Sequence, residues 1–264
     1  NKDLFAKAGV DKIPTNWPEF VTACTTLKSA GITPISMAWW QIYQWNSETY
    51  FDQFYRNERY EFGRALEGDW CFDPDKDANY KYDPNDPYYD RKYTFSMQRW
   101  LNNIKNGKVR FDTDETATIV NNYKQVWPQF CTEDMYVIEN PYLPFLQQQT
   151  AITNQGTWTL PTLMADLTSM DEARREQLEL GQDVKIEPFE WATFENPGMI
   201  DALVDGQVRS TESAVGEYIG AVQKTQTQTD LTIDFLMFWF SAAGYQTWLD
   251  GQYESGLFRP GGPL

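Results

Sequence analysis

Residues 150–163, TAITNQGTWTLPTL, constrain the chain most. Ala151 and Ile152 open it as the short apolar alternation of a strand. Asn154-Gln155-Gly156 then breaks the run with turn chemistry. Trp158 stands at the exit, and Leu160, Leu163, Met164 and Leu167 follow at helical intervals. A strand that passes through a Gly-containing turn into a helix is an α/β connection. Gly156 lets backbone come close to another group, and the indole of Trp158 offers a flat apolar face. The pattern leaves two roles open for Trp158, a core anchor or a ligand platform, at roughly even weight.

The rest of the composition narrows what such a platform serves. The chain has 264 residues, enough for one large domain or two small ones, and is 41% hydrophobic and 16% aromatic, so it can bury a core. Eleven Trp and fifteen Tyr supply rings that pair an apolar face with a polar tip, as sugar sites use and as cores use too. A formal charge of −16 repels phosphate backbones and anionic lipid, so neither nucleic acid nor a membrane surface is an expected partner. The absence of histidine removes Ser-His-Asp and Cys-His nucleophiles and His-based metal sites, and leaves a carboxylate-pair hydrolase open. Cys24, Cys71 and Cys131 permit at most one internal disulfide and form no metal knuckle or redox pair. No run of about eighteen or more apolar residues spans a membrane, no signal peptide is recognisable, and residue 1 is Asn.

Along the chain, residues 1–10 read as a short amphipathic helix around Leu4 and Phe5, ending at Gly9. Asn16 and Glu19 form a capping box for a helix that buries Phe20, Cys24 and Leu27 and stops at Gly31. Residues 32–37 read as an edge strand, since Pro34 lies near its start. In the next segment Trp40, Tyr43, Tyr50 and Phe54 follow helical spacing as core, while Trp39, Trp40 and Trp45 cannot all share one face. Residues 58–92 are irregular and acidic. Asp73, Asp75, Asp77 and Asn79 fall at calcium-loop positions, but Ala78 and Pro84 replace the required Gly and Glu, which favours a solvated loop. No metal or cofactor is expected.

Helices follow over residues 94–106, with Met97, Leu101 and Ile104 inward, and after Asp114, with Ala117, Val120, Tyr123 and Trp127. A short one over residues 142–149 leads into the opening stretch. Residues 169–182 are charged and exposed, Val184, Ile186 and Pro188 alternate like a strand, and residues 194–207 are loop. After a buried strand YIGAV, residues 229–241 form a helix capped by Thr229. It is apolar on nearly all sides and therefore expected to pack deeply, with a break at Gly244.

Four stretches in this order resemble the family-1 extracellular solute-binding proteins of bacterial ABC importers. They are NKDLFAKAGVDKIPTNWPEFVTACTTLKSAGITPI, FLQQQTAITNQGTWTLPTL, STESAVGEYIGAVQKTQ and DLTIDFLMFWFSAAGYQTWLDG. The resemblance implies an α/β, two-lobed, type II periplasmic-binding-protein-like fold whose lobes close on ligand by a hinge. It implies that residues 1–187 are most of the helix-rich second lobe, that 188–243 return to the first, and that 244–264 rejoin the second. A longer natural protein is expected on the same ground.

The resemblance also implies the function: a non-catalytic, monomeric protein outside the cytoplasmic membrane, periplasmic or lipid-anchored, that delivers a carbohydrate to permease subunits. Trp158 matches the aromatic that stacks on a sugar ring, with Gly156 beside it. Trp39, Trp40 and Trp45 match a cleft-lining segment. Glu212 and Ser213 match a loop facing the cleft, where Glu212 would accept sugar hydroxyls and Arg209 would pair with it or with an acidic ligand. Tyr residues of the acidic segment and Trp70 would extend the cleft. A glycoside hydrolase, or the same fold with a peptide, polyamine or other solute, are the alternatives.

Overall fold

Local chemistry sets the first helices. In the computed structural model, which describes residues 1–181, 183–209 and 225–254, α1 (Lys2–Ala8) is capped by Asn1 and stopped by Gly9 in the left-handed conformation. In α2 (Trp17–Ser29) Asn16 accepts the Glu19 N–H, and Glu19 reaches back to Thr15. Contacts with Lys12 and Thr15 hold the Glu19 carboxyl down at about 2. Trp17, Phe20, Ala23, Cys24 and Leu27 form the buried face.

Two short strands hold the centre. β1 (Thr33–Ser36) is followed by α3 (Trp39–Gln41), a π-helical turn at Ile42–Asn46, and α4 (Ser47–Gly63). Then come α5 (Pro74–Asp77), α6 (Met97–Lys105), α7 (Asp114–Val126), α8 (Tyr142–Leu146) and β2 (Thr150–Thr153), as the opening stretch requires. β2 pairs parallel with β1 in the register Thr33 to Thr150 and Ile35 to Ile152. On its other side β1 bridges Cys131 through Ile35. β1 is therefore not an edge strand. Pro34 is tolerated because the ladder engages Thr33 and Ile35 and passes over it.

The chain divides into two units. The first comprises Asn1–Asn154 and Phe189–Thr211. Its core joins α2, the strands, α4 and α7 through Trp17, Tyr50, Phe54, Ile119 and Trp127. Residues 197–209 are held on α4 by side chains rather than by a sheet. The Tyr50 hydroxyl donates to Pro197 C=O, and Gln53 both donates to and accepts from the Met199 backbone. On α7 the buried positions are Ile119 and Val126, whereas Ala117 and Val120 are exposed. Met97, Leu101 and Ile104 of α6 also face outward, because Arg99, Trp100 and Asn103 take the inner face. Arg99 forks onto Asp69, and Asn103 donates to Phe62 C=O.

The second unit comprises Gln155–Pro188 and Glu212–Leu264. It contains α9 (Thr159–Thr168), α10 (Glu172–Gln177), α11 (Gln226–Trp239) and α12 (Ala242–Glu254). Arg174 of the charged segment forks onto buried Asp166, and Leu178 and Leu180 are buried, so that segment is only partly exposed. Residues 184–188 form no strand. The cap of α11 is Thr225, and no described residue of the helix is buried. Its Leu231, Ile233, Phe235 and Met237 are exposed rather than deeply packed, and its main packing among the described elements is against α12. The helix break falls at Phe240-Ser241. Gly244 sits inside α12, where a side chain would strike the Phe238 carbonyl. The YIGAV strand lies outside the described residues.

Candidate ligand-binding site

The first unit carries an open cleft of about 340 Å³ lined by Trp39, Trp40, Tyr43, Tyr136, Val137, Ile138 and Glu139. Its rings are positioned from β1 outward. After β1 the chain turns at Ala38, whose N–H donates to Gln41 Oε1 at 2.8 Å. Gln41 is fully buried, and its amide also donates to Asn154 C=O at 2.6 Å, just past β2. That side chain therefore ties the start of α3 to the second strand.

The π-helical turn decides which rings share a face. Hydrogen bonds in such a turn span five residues instead of four. Trp40 and Trp45 are five apart, and they meet edge to face with centroids at 4.7 Å. Trp39 lies on another side, 6.4 Å from Tyr43 and 5.5 Å from Tyr136. The Asn46 side chain, itself buried, seals the turn by donating to Gln41 C=O. Tyr43, which helical spacing places in the core, is 58% exposed as a result.

The other wall hangs on the outer side of β1. Thr132 N–H donates to Ile35 C=O, and Trp39 N–H donates to Met135 C=O at 2.9 Å. Tyr136 is thereby brought against Trp39. Burial pushes the Cys131 thiol in this wall up to about 12, so it stays protonated and serves as packing. The cleft thus offers Trp39, Tyr43 and Tyr136 as three open rings with Glu139 at their margin.

Trp158 heads α9 in the second unit and is half exposed. The group that approaches Gly156 closely is the Trp158 indole itself, since a side chain at 156 would collide with that ring. Glu212 and Ser213 lie outside the described residues. Arg209 is engaged on the first unit: it forks onto Asp52 at 2.6 and 2.9 Å, donates to Asp90 and Pro87 C=O, and lies over the Tyr89 ring at 4.6 Å. Burial raises the carboxyls of Asp52 and Asp90, but the hydrogen bonds and charges of Arg209 and its neighbours outweigh it and hold both below the usual range.

The acidic segment packs by its tyrosines. Tyr89 and Tyr93 are buried, Tyr82 stacks on Tyr60 at 4.1 Å, and Trp70 is 85% exposed. Asp73 and Asp77 accept backbone N–H groups around α5, and Asp77 also accepts from Thr94 N–H. No group of three or more acids or cysteines with metal-holding geometry occurs among the described residues.

Of the residues named from the sequence, Trp39 and Trp40 line this cleft and Trp45 packs on Trp40; Tyr43, Tyr136 and Glu139 line it too without having been singled out for it. Tyr136 and Val137 lie in the apolar run Met135–Ile138 between acidic residues, the one local sign of that wall.

With this geometry in view, comparison with known proteins is informative. Residues 1–124, which contain β1, α3, the π-helical turn and α4, match the model of the family described as bacterial extracellular solute-binding protein. Over that segment, just under half of the chain, the sequence is similar to bacterial extracellular solute-binding proteins. The helix-rich α/β architecture with its small sheet agrees with the fold of that family of binding proteins. No curated protein matches the chain. A solved structure from work on xylan utilization by the thermophilic bacterium Caldanaerobius polysaccharolyticus is 17% identical, with a TM-score of 0.35. The match covers 66% of this chain and 35% of that one. No helix among the described residues is long and apolar enough to cross a membrane.

Proposed function

We propose that this solute-binding protein captures a carbohydrate, an oligosaccharide, and presents it to the permease subunits of an ABC importer. It acts as a monomer outside the cytoplasmic membrane, in the periplasm or lipid-anchored at the outer face. The observation that carries this reading is the group of open rings, Trp39, Tyr43 and Tyr136, around a cleft with Glu139 at its edge. The C–H face of a pyranose packs on such rings, and a carboxylate accepts two hydroxyl hydrogen bonds.

In this reading Trp39 and Trp158 are stacking platforms, Trp40 and Trp45 brace the first of them, and Gly156 seats the second. Glu212 and Ser213 contribute polar contacts. Arg209 is paired with Asp52 and Asp90 rather than offered to a ligand. Two lobes close on the ligand about a hinge.

Titration calorimetry against a panel of mono- and oligosaccharides tests the proposal. Trp39→Ala and Trp158→Ala are each expected to weaken binding by about tenfold or more while leaving the melting transition in place, because both rings are half exposed. Unchanged affinity in both variants would overturn the platform assignment. Steady hydrolysis of any bound glycan would overturn the assignment as a binding protein.

A further inference from the structure

The cleft is built from two runs of chain that carry no basic residue. No Lys or Arg occurs between Lys28 and Arg56, or between Lys124 and Arg174. Basic residues make up 22 of 264, one in twelve, so runs of 27 and 49 without any depart from the average composition. The first run contains β1, α3 and the π-helical turn, and the second contains the Tyr136 wall, β2 and Trp158. The second run also holds the exposed acids Glu133, Asp134 and Glu139 beside Tyr136. Arg56, Arg59 and Arg209, which flank the first run in space, are tied to Asp52 and Asp90.

Resting on the carbohydrate reading, we infer that this cleft selects its sugar by charge: it accepts neutral and protonated amino sugars and rejects uronate, sulfated and phosphorylated ones. An aromatic face carries the negative end of the ring quadrupole. It attracts an ammonium group and offers nothing to an anion. An anionic sugar would lose its hydration against Trp39, Tyr43 and Tyr136 with no Lys or Arg among the lining residues to replace it, and would meet Glu139 as a like charge. A neutral pyranose meets neither cost. A protonated amine gains from both the rings and the carboxylate.

The experiment compares neutral, amino and uronic-acid oligosaccharides of common hexoses, matched in length and linkage, by calorimetry with wild type and Glu139→Gln. The uronic-acid series is expected to bind about tenfold or more weaker than the neutral one, with the amino series equal or tighter. Glu139→Gln is expected to narrow the spread several-fold, and high salt to narrow it further. A uronic-acid series that binds as tightly as the neutral one overturns the inference and leaves the carbohydrate reading standing. A spread unchanged in Glu139→Gln overturns the part given to that carboxylate. If no series binds, the carbohydrate reading falls and the inference with it.

Discussion

Gly156 shows how one residue's role depends on what lies next to it. Its sequence neighbourhood marks a turn and leaves open which group comes close. That group is the Trp158 indole, which lies where a β-carbon would be. Gly156→Ala is expected to push the indole out of place. The ring is half exposed, so stability should fall by only about 1 kcal/mol, while near-ultraviolet circular dichroism changes and any binding that uses Trp158 weakens. A crystal structure of the variant with the indole unmoved would refute this. Gln41 makes the same point for a polar residue. Nothing in the sequence marks it, yet its buried amide links Ala38 to Asn154 and so fixes where α3 and Trp39 begin.

At the scale of elements, helix ends were legible in part and helix faces less so. Asn16 caps α2 as its spacing to Glu19 predicts, since such caps involve only neighbours in sequence, whereas the caps of α6 and α11 fall at Ser96 and Thr225, away from the expected starts at residues 94 and 229. Faces depend on what packs against them. In α6 the apolar trio Met97, Leu101 and Ile104 lost the inner face to Arg99, Trp100 and Asn103, whose polar groups find partners on Asp69 and Phe62. Leu101→Lys is accordingly expected to change unfolding free energy by no more than about 0.5 kcal/mol in urea denaturation. A loss of several kcal/mol would return Leu101 to the core. The π-helical turn is the other lesson at this scale. A one-residue change in helical register moved Tyr43 from the expected core to the cleft, and a 3.6-residue period does not register it.

For the molecule as a whole, the first unit depends on an ionic clasp that joins α4, the acidic segment and residues 205–209. Asp52 accepts from Arg56 and Arg209, and Asp90 from Arg59 and Arg209. Both carboxyls lie below their ordinary value despite burial, so their stabilisation is present above about pH 4 and is lost as pH falls through their folded values. Asp205 opposes them in part. Burial raises it more than its hydrogen bonds from Asn57 lower it, so it favours the fold at low pH and costs stability as pH rises. Arg209→Met is expected to lose about 3 kcal/mol near neutrality, and its urea midpoint should fall less steeply than that of wild type on acidification below about pH 4. Parallel acid profiles for the two proteins would show that the clasp does not set the pH dependence.

Read by itself, the sequence determined the α/β character, the β2 strand, the turn at Gly156, the Asn16 cap of α2 and the family resemblance. It also excluded histidine chemistry and made nucleic acid an unexpected partner. These follow from residue types and near-neighbour spacing, which a linear chain carries in full. Only the tertiary structure decided that β1 is paired on both sides, that Tyr136 stands against Trp39, that Tyr82 and Tyr89 of the acidic segment pack inward, and that Arg209 grips Asp52. Each of these joins residues far apart in the chain, from Ile35 with Cys131 to Asp52 with Arg209. Which distant partner a side chain finds is fixed by packing and by the need to satisfy buried polar groups, and no local pattern records that choice.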